Sequence, residues 1–131
     1  MYSARTAASV ALILCAAAPA VAQPFETNSS NGLYHVAIEP ASAPAINVME
    51  SWTVTLHDSA GVAVAGADIT ITGGMPDHGH GLPTEPAVTA DLGEGRYRIE
   101  GIKFNMMGHW VVDFRIDAQP GTDTARLELD L

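Results

Sequence analysis

The chain is almost without cysteine. Its single Cys, Cys15, lies inside the apolar N-terminal stretch, so no thiol remains from residue 23 onward. That excludes a disulfide framework, a thiolate zinc site, a type-1 copper centre and a Cys nucleophile in that part. Cations are scarce as well: six Lys and Arg stand against fifteen Asp and Glu, for a formal charge of −9. Nucleic-acid binding needs Lys and Arg for the phosphates, and this chain is the wrong sign for it. H-E-x-x-H, G-x-S-x-G and a phosphate-binding Gly loop are all missing, so the expectation is a protein that is not an enzyme. Beyond the N-terminus no window keeps a 3.6-residue apolar period, which argues against amphipathic helices.

The one long apolar run is Val10 to Val21, with Arg5 before it and Ala20-Val21-Ala22 at its end. A basic start, a short apolar centre and an A-x-A site read as an export signal over 1–22, cleaved before Gln23. The run is too short for a comfortable span of about 20 residues. Leu14 stands where a lipoprotein signal carries a small residue, so Cys15 is expected to leave with the signal rather than be lipidated. The expected location is periplasmic or secreted, with no stable membrane insertion after cleavage. The remaining 109 of 131 residues suit one domain.

Residues 23–32, Gln-Pro-Phe-Glu-Thr-Asn-Ser-Ser-Asn-Gly, are polar and read as a flexible lead-in. From 33 to 131 the pattern is period two. Trp52, Val54 and Leu56 alternate with polar residues, as do Ile69 and Ile71. Trp110, Val112, Phe114 and Ile116 follow the same rule, and so do Ala125, Leu127 and Leu129. Weaker strands are expected at 33–39, 86–92 and 96–104. Asp58-Ser59-Ala60-Gly61, Gly93-Glu94-Gly95 and Gln119-Pro120-Gly121-Thr122 are turn formers between them. About seven short strands, each with one apolar face, predict an all-β fold: an antiparallel, two-sheet immunoglobulin-like sandwich. Gly95-Arg96-Tyr97 fits a corner in which a Tyr hydroxyl pins a crossing loop.

Chemistry concentrates in two segments. Met75-Pro76-Asp77-His78-Gly79-His80-Gly81-Leu82-Pro83 sets a thioether and two imidazoles in a Gly/Pro-rich loop, and Met106-Met107-Gly108-His109 follows about 26 residues later. Together they hold three of the five Met and three of the five His. Imidazole and thioether suit copper. Gly73-Gly74 is expected to end the preceding strand, and Pro76, Pro83 and Pro86 to keep the loop out of a sheet. Gly79 and Gly81 let the backbone turn so that His78 and His80 can face one side, with Met75 close by. The competing reading is that Met75 packs beneath the loop while both His face water. By strand parity Met106 points to the core, whereas Met107 and His109 point outward and are the better site candidates of the second segment. His35 and His57 read as surface imidazoles.

Gly74-Met75-Pro76-Asp77-His78-Gly79-His80-Gly81-Leu82-Pro83-Thr84, then Gly95-Arg96-Tyr97 through Phe104, Met106, Gly108 and Trp110, resemble the YtkA-like domain family. These are small exported or membrane-anchored bacterial domains, related in pattern to FixH-type proteins near cytochrome oxidase assembly. The resemblance covers roughly 33–118. It implies an immunoglobulin-type β-sandwich and a role in periplasmic metal handling. By position its motif residues are Met75, Pro76, His78, Gly79, His80 and Gly81, then Tyr97, Phe104, Met106, Gly108 and Trp110. Family members often carry another polar residue at the place of His109.

The combined expectation is an exported metal-binding domain for copper binding or delivery. Its metal ligands would come from Met75, His78, His80, Met106, Met107 and His109, and its partner would be copper or a copper-accepting envelope protein. The alternative is a structural or interaction domain of the envelope in which the loop is only a turn.

Overall fold

The computed structural model describes residues 23–131. The signal expected over 1–22 lies outside the described residues. Nine strands follow in chain order: β1 (Phe25–Asn28), β2 (Tyr34–Pro40), β3 (Met49–Asp58), β4 (Asp68–Met75), β5 (His80–Gly81), β6 (Ala87–Gly93), β7 (Arg96–Lys103), β8 (His109–Ala118) and β9 (Gly121–Asp130). A single 3-10 turn, Pro76–His78, interrupts them. All strand pairings are antiparallel.

The all-β, antiparallel expectation holds, but the two-sheet sandwich of seven strands does not. The strands form one sheet in the order β1-β2-β3-β7-β6-β4-β8-β9, with β5 paired to β4. That sheet rolls up into a barrel-like shape. Its seam is stitched by side chains and a turn rather than by a full ladder. Ser30 N donates to Thr124 O at 2.9 Å. The Asp123 carboxylate accepts from the backbone of Asn31 and Leu33. The Tyr34 hydroxyl donates to Gly121 O. Period-two patterning fixes which face is buried, but one rolled sheet and two stacked sheets give the same pattern.

The inward face follows the alternation strand by strand. Trp52, Val54, Leu56, Ile99, Ile102, Phe104, Trp110, Val112, Phe114, Ile116 and Ala125 are buried. β-branched and aromatic side chains dominate because they pack well on a pleated surface. The corner expectation is also met. The Tyr97 hydroxyl donates to Val64 O at 2.6 Å and accepts from Ala67 N at 3.1 Å, tying the 58–67 connection to β7.

Two further expectations are corrected. The lead-in at 23–32 is not loose. Phe25–Asn28 pairs with β2, and the turn after it is held by Asp123. Its period-two signal is only four residues long, too short to stand out from a polar segment. The second correction concerns Gly73-Gly74, which do not end β4. The strand runs on to Met75, and His80-Gly81 pairs with it at Gly74↔Gly81 and Met75↔His80. Glycine is required there by close approach. A Cβ on Gly73 would come within 2.6 Å of Val111 O, and one on Gly74 would collide with the backbone of His80. These glycines are places where neighbouring backbones press in, which is a second use of Gly in strands.

Candidate functional site

The loop after β4 and the loop before β8 meet at one end of the barrel. β4 ends where β8 begins, because the two are antiparallel and Gly74 pairs with Val111. Met75 starts the junction. It is 1% exposed, and its terminal Cε lies where a Cβ on Gly108 would sit, 2.6 Å away. Pro76 then opens the 3-10 turn, and Gly79 closes it with φ of +67°, a left-handed conformation that glycine adopts without strain. Gly79 N donates to Met75 O at 3.0 Å. The result is a tight β-turn-β loop that presents His78 and His80 outward, both exposed.

The two imidazoles are neighbours, with ring centroids 6.0 Å apart and planes tilted by 36°. Two imidazoles that share one ion at the usual nitrogen–metal distance of about 2 Å hold their centroids roughly 5 to 6.4 Å apart. The observed spacing lies in that range. His80 is held from two sides. Its ring packs edge-on against Trp110, with centroids 5.7 Å apart, and its Nδ1 lies 2.9 Å from Gly81 O. A carbonyl partner requires a proton on Nδ1, which leaves the Nε2 lone pair free. Metal-bound imidazoles are commonly oriented by such a contact.

Beneath His80 lies an aromatic stack. Trp110 meets Phe104 at 5.2 Å with a 68° angle, and Phe104 meets Trp52 at 6.1 Å. Trp110 Nε1 donates to Met106 O at 3.0 Å, which fixes the second loop onto the same platform.

The six residues singled out from the sequence therefore divide. His78 and His80 are exposed and adjacent. Met75, expected close to the His pair as a ligand, is buried in the core, where the competing reading put it: the alternation of β4 continues through it and turns its side chain inward. Met106 is half-buried against the core, as its parity indicates. Met107 is 74% exposed, on the residue before Gly108. His109 faces outward as expected, but its ring is occupied. Nδ1 lies 2.9 Å from Asp130 Oδ1 and Nε2 3.7 Å from Glu128 Oε2. The hydrogen bond to Asp130, with the negative charges of Asp130, Glu128 and Asp77, raises its pKa above the ordinary His value. It is an ion-pairing residue more than an open donor. Both partners are outward residues of β9, brought beside His109 by the register His109↔Asp130, and no local sequence pattern announces them.

Among the described residues no group of three or more His, Cys, Asp and Glu side chains is placed to hold a metal ion.

The features define a small rolled antiparallel β-domain that displays a His pair on an aromatic platform at one end. The chain belongs to the YtkA-like family, whose pattern it matches over residues 28–115. No curated protein and no solved structure matches it at a significant level. Among the described residues no helix is long and apolar enough to cross a membrane.

Proposed function

We propose that this domain is an exported copper-binding protein of the cell envelope, not an enzyme. It would carry copper as cargo on the 75–80 loop and hand it to an acceptor protein. The single observation that carries this reading is the pair His78 and His80, exposed, with ring centroids 6.0 Å apart and His80 oriented by Trp110 and Gly81 O.

The donor chemistry favours Cu(I). Two imidazoles with at most a thioether beside them suit a soft ion of low coordination number. Zinc prefers four donors, usually with thiolate or carboxylate among them. Met107 is the exposed thioether on the adjoining loop, and its unbranched side chain can swing toward the pair. An exposed, incomplete donor set also suits transfer, since an acceptor can add a ligand before the donor lets go. Export rests on the sequence pattern of residues 1–22 and on family membership.

The test is a competitive Cu(I) titration of the protein and of H78A/H80A. One equivalent should bind, and the double variant should lose it while keeping its fold, because both side chains lie outside the core. M107L should weaken binding less than the double His change. Unchanged Cu(I) affinity in H78A/H80A would leave the loop as a turn and favour a docking role.

A further inference from the structure

The other end of the barrel carries a second pair of imidazoles. His35 on β2 and His57 on β3 are direct partners in the antiparallel register. Such partners hold their Cβ atoms about 4.5–5.5 Å apart on one face of the sheet. Both face outward and are half-buried. The row continues on either side. Asn28 of β1 is the register partner of His35, and Ala63 bridges to His57. His57 thus stands between His35 and a small exposed side chain, which leaves the space above it open. Asn28, His35, His57 and Ser59 share one surface depression.

The orientation of His35 is set. Its Nδ1 lies 3.1 Å from Asn28 Oδ1. The amide oxygen is an acceptor, so Nδ1 carries the proton and Nε2 keeps its lone pair. The two nitrogens of an imidazole point away from each other. With Nδ1 engaged by Asn28, Nε2 is the nitrogen left for a further partner. Asn28 therefore plays toward His35 the part that a carbonyl or carboxylate plays toward a metal-bound imidazole.

We propose that His35 and His57 form a second metal site, a cross-strand bis-imidazole chelate for a borderline divalent ion. Cu(II) is the tightest binder, as expected of a nitrogen-donor pair in the first-row series. The remaining coordination positions are open to water. The overall acidity of the chain helps to concentrate such cations near the surface. The site differs in kind from the His78/His80 loop. It has imidazoles without a thioether, and it lies at the opposite end of the strands, since β3 begins beside Lys103, next to the loop before β8, and runs away from it to His57. A chain with both would offer nitrogen donors for the oxidised ion at one end and a softer set for the reduced ion at the other. The proposal does not depend on copper binding at the loop.

The experiment is a Cu(II) titration of the whole protein in the H78A/H80A background, read by calorimetry and by electron paramagnetic resonance. One nitrogen-ligated equivalent should remain there. Adding either H35Q or H57Q should weaken it at least tenfold, and both changes together should abolish it. Binding that is unchanged by H35Q and by H57Q overturns the proposal. A second readout needs no mutation. Substoichiometric Cu(II) added to the unaltered protein should broaden the ring proton resonances of both His35 and His57. If those resonances stay sharp at one equivalent, the pair is not a metal site.

Discussion

Met75 and Gly108 are locked together: the thioether's Cε occupies the place where a side chain on Gly108 would begin, 2.6 Å from an added Cβ. The contact joins the two loops that the sequence places about 26 residues apart. It also explains why a buried Met and a glycine with φ of +132° occur where the two loops meet. A side chain at 108 would be strained by the backbone and would push Met75 out of its pocket.

G108A is therefore expected to destabilise the domain by about 1–3 kcal/mol, the usual cost of forcing a non-glycine residue into such a conformation. Part of the loss should be coupled to Met75. M75A alone leaves a cavity, and its cost should shrink in the G108A background, where the added methyl needs that room. A double-mutant cycle on chemical denaturation midpoints checks this. Strict additivity would show that the contact does not link the loops.

The aromatic platform leads to a second expectation. Trp110 is fully buried, packs on Phe104, supports the ring of His80 and anchors Met106 O. W110A should cost about 3–5 kcal/mol, as large aromatic deletions do. W110F should cost less but should still free the second loop, because it removes the indole donor to Met106 O. If the loop carries copper, W110F should raise the dissociation rate of Cu(I) while the fold persists. A W110F protein with wild-type copper kinetics would separate the platform from the site.

The period-two pattern made the inward faces of β3, β4, β8 and β9 legible, together with the burial of Trp52, Trp110 and Phe114. The Tyr97 corner was suggested separately, by a Tyr placed just after a Gly-rich turn, although Tyr is common at strand starts, and its bonds to Val64 O and Ala67 N identify it. Sheet closure was not legible. Whether β6 runs beside β4 depends on one pair, Thr70↔Ala87, and whether the N-terminus seals the seam depends on hydrogen bonds across more than 90 residues. No local pattern encodes either. Gly73 and Gly74 read as a strand end because glycine usually punctuates. Here they thin the strand so that β5 and β8 can approach, and that reason exists only once the neighbours are in place. The loop's His pair was visible as a motif. What held His109 was not, since its partners Asp130 and Glu128 lie on another strand and reach it only through the register of β8 with β9. The pairing of His35 with His57 was hidden for the same reason: 22 positions apart in the chain, they become neighbours only through the β2–β3 register.

Asp123 supplies the last expectation, a dependence of stability on pH. It is buried at the seam. Burial pushes its carboxyl up, but hydrogen bonds from the Ser29 side chain and from the backbone of Thr124, Asn31 and Leu33 outweigh that and hold its pKa below the ordinary carboxylate value. A carboxylate with a lowered folded pKa contributes its full stabilisation above its unfolded pKa of about 3.9. It loses that contribution as pH falls through the lower folded value. D123N should consequently be clearly less stable than wild type at neutral pH, with the gap narrowing below about pH 4. Thermal unfolding of both proteins from pH 7 to pH 2.5 would show it. The loss should be local at first. Asp123 ties the 29–33 turn to β9, so acid should speed amide exchange in β1 before it does so in β3 or β8. A gap between wild type and D123N that stays constant across the acid range would mean that the seam is held by shape and backbone bonding, with no part played by the charge.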